Sequence, residues 1–154
     1  MSKSQLRYLG PVADDGDGYV LEEQVGHLLR RAHQRHTAIF QQQIGDSQLT
    51  PLQFAALVKL RDVGEVSQNQ LGRLTAMDAA TMQGVIKRLV LRGLIVRRAD
   101  PRDRRRLILS LSEEGQAVIA VAVERAAEIT AATLDPLSPP ERRALLASLA
   151  KIAE

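Results

Sequence analysis

The most constraining feature of the sequence is a highly charged segment, residues 97–106, between two short apolar stretches. Six of its ten residues are arginine, and Pro101 stands near its centre. A segment this charged cannot be buried without partners, so it must form an exposed turn. The flanking stretches have the composition and alternation of strands: Leu94, Ile95 and Val96 before the segment, and Leu107, Leu109 and Leu111 after it. The sequence therefore predicts a β-hairpin with a cationic tip.

Two short helices are predicted immediately before this hairpin. Ser67 and Gln70 have the spacing of a capping box, which marks the start of the first helix. Asp78 is a suitable N-cap for the second helix, and Gly93 is the residue expected just past its C-terminus. Apolar residues recur along the second helix at helical spacing: Met82, Val85, Ile86, Leu89 and Val90. Two helices followed by a hairpin predict a winged helix-turn-helix.

Longer helices are predicted on both sides of this unit. One spans about residues 19–44, and another begins after Thr50 with a capping box to Gln53. Two more follow the hairpin, after Ser112 and after Ser138. The apolar faces of these outer helices are not needed by a winged helix, so they must be buried elsewhere. Packing of the outer helices of two chains about a two-fold axis would bury them.

These elements predict a mainly α protein with a small β-hairpin (α+β), a winged helix-turn-helix with N- and C-terminal dimerisation helices. The expected division has an irregular N-terminal tail at residues 1–18 and a helical dimerisation region at residues 19–45 and 112–154. Residues 46–111 form the winged-helix lobe.

The basic residues are concentrated in that lobe. The formal net charge is only +3, yet residues 87–106 contain nine lysines and arginines against two aspartates. A basic patch confined to a helix and a hairpin is the expected footprint of a protein that binds a polyanion, here double-stranded DNA. The alternative is a solvated charged loop without a partner.

Composition excludes several other classes. The chain contains no cysteine, so disulfides, zinc–thiolate sites and thiol-based redox sensing are excluded. Its apolar runs are short and the N-terminus lacks the apolar core of a signal peptide, so we expect a cytoplasmic protein without a membrane partner. Nucleophile-elbow, phosphate-loop and metalloprotease patterns do not occur, and we expect neither an enzyme nor a cofactor.

The second short helix offers a surface for DNA. If its apolar residues face inward, Ala80, Gln83, Gly84 and Lys87 share the opposite face, with Thr81 nearby. Gln83 can pair bidentately with adenine, and Thr81 or Ala80 can touch a thymine methyl group. Gln83 as a merely solvated residue remains the alternative. Phosphate contacts, which fix register, are expected from Gln68, Asn69, Arg73 and Lys87.

With these elements in this order, the sequence resembles the MarR (multiple antibiotic resistance regulator) family of winged-helix transcription factors. The residues that carry the resemblance are DPRDRR at 100–105, LVLRGLIVRR at 89–98 and LILSLSEEG at 107–115. The resemblance implies an obligate homodimer, a palindromic operator and relief of repression by a small aromatic or phenolic ligand. It also implies that Arg102 enters the minor groove. Gly84 departs from the family pattern, because the family often has a longer, frequently basic residue at this position.

The remaining charges of the hairpin have other expected roles. Arg104 and Arg106 are expected to contact phosphates. Asp100 and Arg105 could form an ion pair that braces this hairpin, which is the wing of the winged helix, or they could be a screened surface pair.

The first long helix offers candidates for an effector site. His33 and His36 lie on or beside its apolar stripe, with the i, i+3 spacing of a helical metal pair. Three roles remain open for them: ordinary helix packing, contact with a carboxylated or phenolic ligand, and metal binding. No carboxylate cluster supports the metal. Phe54 and Leu57 could form an apolar wall of such a pocket or belong to the core.

A ligand-responsive DNA-binding regulator accounts for all these features together. We therefore expect a homodimeric repressor that a small aromatic acid releases from its palindromic operator. The alternatives are an activator of the same family and a winged helix that contacts proteins without binding DNA.

Overall fold

The computed structural model describes residues 18–154. The expected irregular tail at residues 1–18 therefore lies outside the described residues, apart from Gly18. The elements follow in this order: α1 (Val25–Gln43), α2 (Pro51–Val63), β1 (Val66–Ser67), α3 (Gln68–Leu74), α4 (Ala79–Leu91), β2 (Ile95–Ala99), β3 (Leu107–Leu111), α5 (Glu113–Thr133) and α6 (Pro139–Ala153). The predicted mainly α fold with a small antiparallel sheet is confirmed.

The sheet contains the predicted hairpin and one further strand. Strands β2 and β3 are antiparallel, with Arg97 opposite Leu109. Strand β1 pairs antiparallel with the other edge of β3, with Val66 opposite Leu109, so the strand order is β1-β3-β2. The sequence did not predict β1, because two residues are too short to show an alternating pattern.

The first helix starts later than predicted. The prediction of one helix from residue 19 was wrong, because the backbone of Gln24 is extended (φ −82°, ψ 140°). This conformation separates α1 from a 3-10 turn at Leu21–Glu23. The side-chain amide of Gln24 donates to the carbonyl oxygen of Val20 at 2.9 Å and stabilises the turn.

Helix caps fix most of the other boundaries. Thr50 and Gln53 form both arms of the predicted capping box, and Ser138 and Glu141 form another. Ser67 caps α3 through one arm only, accepting from the backbone N–H of Gln70 at 3.3 Å. Such caps satisfy backbone donors that have no partner in the first turn of a helix, so they position each helix start.

The core lies inside the winged-helix lobe and continues onto α5. Its fully buried side chains come from α2, α3, α4, β3, α5 and the connections between them: Leu49, Leu57, Leu60, Leu71, Met82, Ile86, Leu89, Leu94, Leu109, Ile119 and Ile129. Because four residues of α4 are buried on one side, the phase of this helix is fixed and its opposite face is directed to solvent.

The backbone passes very close to itself where β2 and α5 begin. The backbone N–H of Ser112 donates to the carbonyl oxygen of Leu94 at 3.1 Å, and the Ser112 hydroxyl donates to the carbonyl oxygen of Gly93. A Cβ at Gly115 would lie only 2.0 Å from the carbonyl oxygen of Leu94. Glycine is therefore required at position 115 by this contact.

The outer helices leave apolar side chains uncovered. Every residue of α6 is exposed or half-buried, with Leu146 53% and Ile152 65% exposed. At the start of α1, Val25 is 64% exposed and Leu28 is also exposed. Among residues 18–154, none of the helices is both long and apolar enough to cross a membrane.

Candidate nucleic-acid interface

Helix α4 is capped by the carboxylate that was predicted to cap it. The Oδ1 atom of Asp78 accepts from the backbone N–H of Thr81 at 2.7 Å. Hydrogen bonds from the backbone and side chain of Thr81 lower the pKa of Asp78 below its ordinary value. The cap stays negatively charged at neutral pH, which suits the positive end of the helix dipole.

The outer face of α4 carries the residues expected to contact DNA. Ala80, Gln83 and Lys87 are exposed, while Thr81 and Gly84 are half-buried. Because Met82, Ile86 and Leu89 are buried on the opposite side, the predicted phase of this helix is confirmed. The face combines an amide that can pair with a base edge and a cation that can contact a phosphate.

Helix α3 lies between α4 and the wing. Gln68, Asn69 and Arg73 line a concavity of about 270 Å³ together with Ala79 and Met82 of α4. Gln68 and Asn69 also line a second concavity of about 210 Å³, whose other wall includes Arg105, Arg106 and Leu107. The start of α3 thus lies between the first turn of α4 and the end of the wing turn.

The wing turn is held by backbone hydrogen bonds and two aspartates. The backbone N–H of Asp100 donates to Arg106, and the N–H of Arg106 donates to Asp103, both at 2.9 Å. The Asp100 carboxylate accepts from the backbone N–H of Arg102 at 2.9 Å, and the Asp103 carboxylate accepts from that of Arg105 at 3.0 Å. Both are Asx turns, which fix the loop without using an arginine side chain.

Of the two possibilities left open for Asp100 and Arg105, the structure does not show the ion pair. Among the described side chains, the salt bridges lie elsewhere, and Asp100 instead accepts from the backbone two residues further on. A backbone donor held at short sequence distance costs less side-chain entropy than a long exposed guanidinium, so it is the preferred partner. All four arginines of the turn, Arg102, Arg104, Arg105 and Arg106, remain exposed.

Two arginine contacts were missed by the sequence analysis. Arg98 of β2 forms an exposed salt bridge with Glu65 at 2.8 Å, which ties the wing to the segment before β1. The guanidinium of Arg92 donates to the carbonyl oxygen of Ser47. The partners are 33 and 45 residues apart in sequence, so no local pattern indicates either contact.

His36 joins α1 to the end of α5. Its Nδ1 atom lies 2.9 Å from the hydroxyl oxygen of Thr133, which itself donates to the carbonyl oxygen of Ile129. When the hydroxyl hydrogen is used in the bond to Ile129, Nδ1 carries the proton and donates to Thr133, which leaves Nε2 as an acceptor. Burial, and then the neighbouring His33, lower the pKa of His36, so the neutral ring is favoured at pH 7.

The other residues considered for an effector site have different surroundings. Phe54 packs edge-to-face on Phe40, with ring centroids 5.6 Å apart, and Phe40 in turn lies beside His36. Leu57 is 0% exposed and belongs to the core, whereas His33 is exposed. Within the described part of the chain, no three histidine, aspartate or glutamate residues are grouped as metal ligands would be.

The fold and the surface together define a winged helix-turn-helix protein. The model of the MarR family matches residues 47–106. Over 154 residues the chain is 44% identical to the HTH-type transcriptional repressor NicR of Pseudomonas putida, covering 100% of this chain and 96% of that protein. The chain therefore belongs to the MarR family of transcription regulators.

Solved structures agree with this assignment. The crystal structure of a probable transcriptional regulator from Pseudomonas aeruginosa is 51% identical, with a TM-score of 0.83, covering 86% of this chain and 99% of that one. BpsR of Bordetella bronchiseptica, whose DNA binding is described as regulated by 6-hydroxynicotinic acid, is 47% identical with a TM-score of 0.83. The match covers 89% of this chain and 98% of the BpsR chain.

Proposed function

We propose that this protein is a homodimeric repressor that binds a palindromic operator and is released by a small aromatic acid. The observation that carries the proposal is the set of exposed polar and cationic residues on α4, α3 and the arginine-rich wing. The start of α3 lines concavities with the first turn of α4 and with the end of the wing turn. On a helix-turn-helix protein such a surface places one helix in the major groove. The name of the P. putida relative, a transcriptional repressor, supports repression as the output.

The proposed roles of the side chains follow from their positions. Gln83, Ala80 and Thr81 contact base edges in the major groove, and Arg102 enters the minor groove. Phosphate contacts come from Gln68, Asn69, Arg73, Lys87, Arg104 and Arg106. Asp100 holds the wing through its contact with the backbone of Arg102.

Dimerisation is proposed because α1 and α6 expose apolar side chains. Two copies that share these faces would cover them and place two winged-helix lobes, residues 46–111, about a two-fold axis. The operator should then be a palindrome with half-site centres about one helical turn, roughly 10 bp, apart. Sequencing the genomic DNA fragments that the protein retains, followed by footprinting, tests this, and a single asymmetric half-site would contradict it.

Base recognition and phosphate contact should be separable by mutation. We expect Gln83→Ala to weaken binding to the best operator by about 1–3 kcal/mol and to relax base preference at one position in each half-site. Lys87→Ala should weaken all sequences to a similar extent, because a phosphate contact does not depend on the base. Affinities over a panel of operator variants measure both effects. Identical profiles for the two variants would show that the proposed roles are wrong.

The proposed effector site is the region of His36, Phe40 and Phe54. The acceptor at Nε2 of His36 suits the hydroxyl or acidic proton of an aromatic ligand. The half-buried ring of Phe54, which packs on the buried Phe40 beside His36, offers apolar surface. The regulation of the relative BpsR by 6-hydroxynicotinic acid supports a hydroxylated aromatic acid. A ligand of this kind releases DNA only if it favours a dimer whose two lobes do not fit the operator.

Removal of the His36 side chain should affect release more than DNA binding. We expect His36→Ala to keep the dimer and its operator affinity but to raise the inducer concentration for half-release about tenfold or more, since one hydrogen bond to a partly buried ligand is lost. 6-Hydroxynicotinic acid titrated against the protein–operator complex measures this. His33→Ala is the comparison variant, because this exposed side chain should matter less. Unchanged release in His36→Ala would place the effector elsewhere.

A further inference from the structure

Gly84 is a glycine that the fold of this chain does not require. It lies inside the 13-residue helix α4, where glycine destabilises a helix relative to alanine. Its φ angle is not among the positive values, which occur at Gly45, Gly64 and Gly93. A Cβ at position 84 would meet no atom of the described chain within 4 Å. Neither the backbone conformation nor packing therefore explains the glycine.

Other glycines of the lobe show the contrast. A Cβ at Gly72 would lie 3.2 Å from the carbonyl oxygen of Met77, and one at Gly115 would overlap the carbonyl of Leu94. Those two glycines permit close packing within the chain. Gly84 has open space beside it, so any close approach that it permits involves a molecule outside the chain.

The position of Gly84 on α4 indicates which molecule this is. It is adjacent to Gln83, one turn after Ala80 and one turn before Lys87, all three of which are exposed. This is the face that the proposed function places in the major groove, and the inference rests on that placement. Glycine is used where a backbone must approach a ligand closely, and the thymine methyl group projects from the base edges in this groove.

We propose that Gly84 is a specificity-determining residue that lets the backbone of α4 contact the methyl group of one thymine in each operator half-site. A side chain at position 84 would meet this methyl group before Gln83 and Lys87 reached their partners. The glycine thus lowers the stability of the helix but lets the protein distinguish one base pair of each half-site from the others.

The variant Gly84→Ala separates stability from recognition. Alanine should raise the melting temperature of the free protein by about 2–4 °C, because it favours the helix and has room. It should weaken binding to the native operator about tenfold or more, the usual effect of one disturbed base contact. Arg61→Ala on α2, which also places alanine at an exposed helix position but lies outside α1, α6 and the surface proposed for DNA, is the control and should leave operator affinity unchanged.

Replacing thymines by deoxyuridine, which removes only the methyl group, identifies the contact. Each thymine of the half-site is replaced in turn, symmetrically in both halves. One replacement should restore the affinity of Gly84→Ala to within about fourfold of the wild type, whereas the same replacement should weaken the wild type by about fourfold or less.

The possible results are distinguishable. Native affinity in Gly84→Ala, or a loss that no deoxyuridine restores, as for close approach to a phosphate, would overturn the thymine assignment. Absence of sequence-specific binding by the wild-type protein would instead overturn the proposed function, and this inference with it.

Discussion

Operator affinity is expected to fall about 10³–10⁵-fold when the salt concentration rises from 50 to 200 mM. The reason is the release of counterions from DNA when cationic groups occupy roughly 6–10 phosphates of the duplex. The formal net charge of +3 is too small to produce such an effect by itself. The effect comes from the concentration of exposed cations on α3, α4 and the wing, including Arg73, Lys87, Arg104 and Arg106.

Single substitutions should change the slope of this dependence. Each phosphate contact contributes about 0.9 to the slope of log affinity against log salt, so Arg104→Ala should lower it by about 1.8 in a dimer. Fluorescence anisotropy with an operator duplex at several salt concentrations measures the slope. Arg61→Ala is the control, because Arg61 lies on α2 and is paired with Asp62 at 3.0 Å. A salt-independent affinity would refute the proposed phosphate contacts.

The variant Gly115→Ala is expected to lose at least about 3 kcal/mol of folding stability. The added Cβ would lie 2.0 Å from the carbonyl oxygen of Leu94, a backbone atom that cannot move aside as a flexible side chain can. Relieving this overlap requires moving α5 away from the residues that begin β2. This movement breaks the hydrogen bond from the backbone N–H of Ser112 to the carbonyl oxygen of Leu94. Overpacking against backbone belongs among the most destabilising kinds of substitution.

Thermal unfolding at one fixed protein concentration tests this expectation. For a chain of this size, a loss of 3 kcal/mol corresponds to a decrease in melting temperature of roughly 6–12 °C. Gly84→Ala serves as the control and should not destabilise the protein, because its Cβ has open space. Equal melting temperatures for Gly115→Ala and the wild type would show that the helix and the strand can separate without cost.

Local signals explain which parts of the fold were predictable. The capping residues Thr50, Asp78, Ser112 and Ser138 stand immediately before apolar periodic segments, so helix starts were found from a few neighbouring residues. The phase of α4 followed from the periodicity of its buried residues. The start of α1 was missed because the residues before it include both apolar and charged side chains, as a helix does. This composition gives no sign of the extended backbone at Gln24.

Features that depend on distant partners were not predictable in the same way. The contact of Gly115 with Leu94 and the salt bridge of Glu65 with Arg98 join residues that only the folded chain brings together. At the wing, Asp100 had both a guanidinium and a backbone N–H within its sequence reach. The sequence does not show which of them geometry favours, so the ion pair with Arg105 was left open beside a screened surface pair.

The short connection between the wing and α5 has a mechanical consequence. Ser112 alone separates the end of β3 from the start of α5, and its two bonds to Gly93 and Leu94 leave no slack there. The 21 residues of α5 form a lever about 30 Å long, with the wing at one end and Thr133, the partner of His36, at the other. A tilt of about 5° of a rod this long displaces one end by roughly 3 Å relative to the other. A tilt of α5 at the His36–Thr133 contact would therefore also displace the start of α5, where Ser112 joins it to the wing.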